Sequence, residues 1–219
     1  MRILASLALV ALVAITSAAS VGSTPTGDQI LARAAAAKGV HSYTVPVHFE
    51  VHLHKPIGAR TGVDGTVYYQ APGHGALVLD KAHGIIGSFF KGTYNLDLVP
   101  QTWPANYHVL SVSTTIVGGV PETVLDALPR VGGEDIQQVV FRISNRDHAP
   151  VGADWTYKDQ STISLALTNS RNGAYTLPAS ASVSVDMPKY KLDGDVTYGT
   201  YALNAPVDPS VFVGANKKE

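Results

Sequence analysis

Cysteine is absent from all 219 residues. That excludes disulfide bonds, thiolate metal centres and a cysteine nucleophile, so burial of apolar surface must hold the fold together. An excess of positive charge is also missing: 16 Lys and Arg stand against 17 Asp and Glu, for a formal net charge of −1 and a pI near 6.7. That argues against a nucleic-acid partner, since neutralising phosphates needs clustered Lys and Arg. The small basic groups "KYK" at 189–191 and "NKKE" at 216–219 read as solvated ends. Catalytic signatures are lacking too, with no G-x-S-x-G elbow, P-loop or H-E-x-x-H. We expect a protein that is not an enzyme and needs no cofactor.

What is present begins with "MRILASLALVALVAITSAAS": one basic residue, Arg2, then an apolar run from Ile3 to about Thr16, then small residues. This is the layout of a signal peptide, residues 1–19, with cleavage near Ala19. The run is shorter than the ~20 apolar residues that cross a bilayer. No cysteine follows to accept a lipid anchor, and no later stretch is apolar enough to span. The expectation is an exported chain, periplasmic or fully secreted, without a transmembrane segment after cleavage. A linker at 20–26, one domain at 27–213 and a polar tail at 214–219 complete the division.

In "TGDQILARAAAAKGV", Thr26 and Gln29 have capping-box spacing, alanines favour helix, and Lys38–Gly39 suits a stop. A helix this short and alanine-rich does not persist alone, so it must dock. Period-two alternation fills most of the remainder and predicts strands near 43–54, 63–71, 76–81, 93–99, 107–117, 137–144, 161–168, 174–177, 181–187 and 195–203. Turn signals such as "PIGARTG", "APGHG", "NSRNG" and "LDGD" separate them. "PETVLDAL", with Pro121 at its start and Pro129 after it, suggests a second short helix.

The stretch "VPVHFEVHLHKP" places His48, His52 and His54 around Glu50. On a strand these four share one face, while Val45, Val47, Phe49, Val51 and Leu53 share the other. Asp64 alone offers polar parity on the next strand, and two ligands leave a divalent ion mostly hydrated, so we expect solvent-facing polar residues and no metal site. Asp193 and Asp195 in "KLDGDVTYG" read as a tight hairpin, and "NRDHAP", with Asp147 and His148, as a polar loop. Trp103 and Trp155 could stack on sugar rings, but aromatics in strands more often pack in the core.

The apolar face is the informative one, because its parity persists from strand to strand while the helices available to cover it are few. A wide sheet with one greasy face can curl on itself around a packed core or an apolar cavity. Many β-branched and few large aromatic residues on the inward parity favour the cavity. The fold class expected is mainly β with some α: a large antiparallel sheet curled into an incomplete, open barrel, covered by an N-terminal helix and a short loop helix. Lining residues are expected to be Val47, Phe49, Val51, Leu53, Val67, Tyr69, Leu77, Leu79, Val139, Phe141, Leu165 and Leu167.

"GTVYYQAPGHGAL", residues 65–77, resembles the G-x-L-W-x-x-R-P-x-x-F signature of the LolA-like periplasmic lipoprotein carriers, and follows a helix and a long strand as it does there. "TYGTYALNAPVDPSVFV" resembles that family's closing strand and D-x-x-x-F segment, through Asp208 and Phe212. The resemblance implies an open barrel with a helical lid, taking up acyl chains of lipids or lipoproteins, with membrane-anchored donor or acceptor proteins as further partners. It also implies an arginine before the proline, latching the lid through lid backbone. Ala71 stands there instead, before Pro72, which weighs against specific lipoprotein handover and leaves general lipid binding. The alternative is a secreted β-rich interaction or structural module with a filled core.

Overall fold

A computed structural model describes residues 24–36, 40–56, 58–80, 99–131 and 135–214. The expected signal peptide, most of the linker, all but the last residue of the strand expected over 93–99 and the tail from 215 lie outside the described residues.

Helix α1 (Gly27–Ala35) opens on the expected capping box: Thr26 accepts from the Gln29 amide while the Gln29 side chain returns to the Thr26 amide. It buries Leu31 and Ala35. Among the described residues eleven strands follow: β1 (Ser42–Lys55), β2 (Ala59–Gln70), β3 (His74–Leu79), β4 (Tyr107–Val117), β5 (Val120–Pro129), β6 (Ile136–Ser144), β7 (Pro150–Tyr157), β8 (Thr162–Asn172), β9 (Tyr175–Asp186), β10 (Lys191–Tyr198) and β11 (Ala202–Leu203). They form one antiparallel sheet in the order β3-β2-β1-β10-β9-β8-β7-β6-β5-β4, with β11 paired to the start of β1. The ends β3 and β4 do not pair, so the sheet stays open. A 3-10 turn (Pro100–Thr102) runs into the short helix α2 (Trp103–Asn106). Helix α3 (Ser210–Gly214) packs on β3.

Several local expectations are corrected. "PETVLDAL" is strand β5, not helix. Gly118 and Gly119 have φ of 58° and 81°, the left-handed pair of a two-residue hairpin, and return the chain along β4. With β4 on one side and β6 on the other, Leu125 and Ala127 enter the core at period two. Pro121 breaks no bond to β6, because that ladder begins at Glu122–Ser144. "KLDGDVTYG" is not a turn either. It is strand β10, whose Asp193 and Asp195 carboxylates accept from the Ser184 and Ser182 hydroxyls on β9. The reversal falls earlier, where Met187 and Tyr190 exchange backbone bonds. β7 was not expected at all, and the two short strands at 174–187 are one, β9.

Candidate functional site

All twelve residues expected to line the interior lie in, or packed against, a single apolar cluster on one face of the sheet. Ten are buried; Leu77 and Leu79 on β3 are half-buried beside them. Alternation puts them there: Val47, Phe49, Val51 and Leu53 of β1 face the same way as Val63 and Val67 of β2 and Leu192 and Val196 of β10. From the far side of the sheet come Leu125, Val139, Phe141, Ile163 and Leu165.

Among the described residues the lid over this face is small: α1, the 3-10 turn and α2. Its centre is Trp103, 0% exposed, whose ring stacks on Phe141 at 4.6 Å between centroids and meets Trp155 edge-on at 6.4 Å. Both tryptophans are therefore core. A side chain of this kind buries about 150–250 Å², worth about 4–6 kcal/mol of transfer free energy. Trp155 donates its indole N–H to the Tyr107 hydroxyl at 2.9 Å. From β1 the Tyr43 hydroxyl bonds Gln101 at 2.9 Å, tying the 3-10 turn to the opposite side of the sheet.

One polar knot fastens the lid. Asp28, in the first turn of α1, accepts from the Val109 amide at 2.7 Å through one oxygen. Its other oxygen takes His108 Nδ1 and Arg130 Nη2, each at 2.9 Å. Arg130 also donates from Nε to the Pro104 carbonyl of α2 at 3.1 Å, so a single guanidinium holds both helices. Partial burial pushes the Asp28 carboxyl up, but the Val109 amide, His108 and Arg130 together outweigh it and hold the group at about 2.

The opposite face is polar. His48 and Asp64 lie 2.6 Å apart across β1 and β2, and His54 and Asp193 lie 2.8 Å apart across β1 and β10. His54, with Ser184, draws the Asp193 carboxyl below its ordinary value. Among the described residues no group of three or more His, Asp or Glu could hold a metal ion. A cavity of about 910 Å³ opens on this face, walled by His48, Glu50, His52, Arg60 and Arg142 over a floor that includes Ser164, Ser182 and Ser184. Arg142 crosses Gly152 to reach the Leu165 carbonyl at 3.4 Å. A methyl at Gly152 would meet that guanidinium and sit 2.7 Å from the Leu165 carbonyl oxygen. Gly152→Ala is expected to lower stability by about 1–3 kcal/mol, read from the denaturant midpoint.

No family model matches the sequence, and no curated protein does. Solved structures do match. A LolA superfamily protein from Nitrosomonas europaea superposes with a TM-score of 0.66 over 86% of this chain and 98% of its own, at 10% identity. The chain has a LolA-like fold. A domain named for outer membrane lipoprotein sorting, from Vibrio parahaemolyticus, gives 0.60 over 80% of this chain and 90% of its own at 8% identity. A DUF1329 family protein from Desulfovibrio piger gives 0.62 over 85% and 95%, at 11%.

Within this LolA-like frame, Ala71 donates its backbone N–H to the His41 carbonyl at 2.8 Å and packs against the apolar cluster. The guanidinium that reaches lid backbone is Arg130, at the opposite end of the strand order. In the closing segment, Asp208 caps α3 by accepting from the Ser210 amide at 2.9 Å, and Phe212 packs its ring 5.9 Å from that of His74 on β3. Sequence reasoning missed the lid's own contributors, Trp103 as its centre and Asp28 with Arg130 as its fastening. Pro100 and Pro104 around Trp103 were the available signal for a short helical turn.

Proposed function

We propose that this protein is a non-catalytic periplasmic carrier that holds the acyl chains of lipids or lipoproteins on its apolar face, between the sheet and the lid of α1 and α2. The observation that carries this reading is the disproportion between the two layers. An apolar face running from β3 to β5 is covered, among the described residues, by a nine-residue helix and the seven residues 100–106. Such a lid can be displaced. A chain of about sixteen carbons entering that face gains on the order of 12 kcal/mol, at ~0.8 kcal/mol per methylene. Withdrawing Trp103 gives back about 4–6 kcal/mol, which leaves a margin for the freedom lost on binding. Phe49, Phe141 and Leu165 are the residues the acyl chain would touch once Trp103 withdraws, with Leu77 and Leu79 at the β3 margin. The LolA-like fold supports the same reading.

The close packing of the apolar face favours one alternative, an exported β-rich interaction or structural module whose lid stays shut. Expression with the leader, solvent extraction and mass spectrometry of the bound material separate the two. Lipid should be recovered, and the stripped protein should take up a fluorescent fatty acid. His52→Ala, on the polar face, should leave that uptake unchanged. Absence of both lipid and uptake would establish the module instead.

A further inference from the structure

The two ends of the open sheet are unlike. β3 is six residues long and carries α3 against it. β4 is eleven residues long and pairs, among the described residues, only with β5. From Val109 to Val120 there is no charged residue and no proline, two of the devices that keep an edge strand from pairing; the one irregularity in the β4–β5 ladder, between Val109 and Ser111, comes before the segment 112–116. Beyond Val109 both faces of β4 are exposed: Leu110 61%, Val112 47%, Ile116 72% and Val117 46%.

We infer that β4 is a self-pairing edge, and that two copies of this chain join through it as an antiparallel, two-fold dimer. Hairpin geometry gives the register. The two-residue turn makes Val117 and Val120 the closing hydrogen-bonded pair. Counting back in twos, Thr115, Ser113 and Ser111 also turn their backbone groups toward β5. Those of Ile116, Thr114 and Val112 therefore point outward, unpaired among the described residues. A second β4 presenting the same three residues satisfies all of them when Thr114 faces its own twin and Val112 faces Ile116. Val112 lies opposite Leu125 on the apolar side of the sheet. The Val112–Ile116 contacts thus fall on that side and carry the apolar face of one copy into the next. A two-fold contact sets each side chain near its own image, which punishes any charge in the paired segment; residues 112–116 have none to repel.

The test is the mass of the leaderless protein by light scattering and sedimentation across a concentration series. We expect a dimer that dissociates on dilution. Thr114→Pro removes an outward N–H without touching the β4–β5 ladder, so it should give a folded monomer with unchanged circular dichroism. Ile116→Lys should do the same, and keeps the test valid should the proline perturb the hairpin. Because the chain has no cysteine, Thr114→Cys places a single thiol on the two-fold axis. Its twin then lies at about 5.5 Å between Cα atoms, within disulfide reach. Mild oxidation should cross-link Thr114→Cys to a covalent dimer and leave Val78→Cys, on the β3 edge, monomeric. A protein that stays monomeric to its solubility limit, or a dimer indifferent to both edge substitutions, overturns the inference. So does association seen only on vesicles of phosphatidylethanolamine and phosphatidylglycerol, which would make a bilayer the occupant of the hairpin.

Discussion

Trp103→Ala should cost about 3–5 kcal/mol of stability, and a long-chain fatty acid should return a large part of it. The loss follows from removing a fully buried ring that stacks on Phe141 and abuts Trp155. The recovery follows from the proposed function, because the space vacated is where an acyl chain would lie. Thermal unfolding with and without fatty acid reads both halves. Wild type should gain less, since there the ligand must first displace the indole. Equal destabilisation with no recovery would mark Trp103 as ordinary core. Phe49→Asp and Leu165→Asp are poorer probes: both positions are buried, and an unpaired carboxylate there would unfold the sheet before uptake could be measured.

The second large effect is expected at the lid's fastening. Asp28→Asn should lower stability at neutral pH and remove an acid-dependent phase that wild type shows. A carboxyl held at about 2 instead of its ordinary 3.8 corresponds to about 2.5 kcal/mol at full strength. With 32% of the Asp28 side chain exposed, solvent screening reduces that to about 1–2 kcal/mol. The sign is that of a depressed acid: the contribution is complete above about pH 4 and disappears as pH falls through 2. Denaturant unfolding at pH 7 and pH 3 should therefore show a smaller gap between wild type and Asp28→Asn at the lower pH. Arg130→Ala cuts the bonds to both Asp28 and Pro104, and should speed acyl uptake severalfold by freeing α1 and α2 together.

Much of the sheet was legible in the sequence because strand alternation is a local property. "VPVHFEVHLHKP" shows its two faces in plain order, and His48 meets Asp64, the partner its parity allowed. β5 was not legible as a strand, since prolines at both ends of "PETVLDAL" mimic helix boundaries and only pairing with β4 and β6 decides. β10 was missed over its first half for a related reason: an Asp-Gly-Asp run has turn chemistry until serines on β9 give its carboxylates partners. The apolar face was readable in all twelve of its expected residues. What fills it was not. Trp103 reaches Phe141 and Trp155 only because a segment distant in sequence is laid across the sheet, and Asp28 meets Arg130 over 102 residues of chain.

The proposed function requires an acyl chain to take the place of the lid's indole on the apolar face. Trp103 emission in a Trp155→Phe background, titrated with a fatty acid brominated along its chain, tests it most directly. Saturable quenching is expected, with the emission shifting to the red as the ring leaves Phe141. Emission that stays blue and unquenched at every concentration would contradict it.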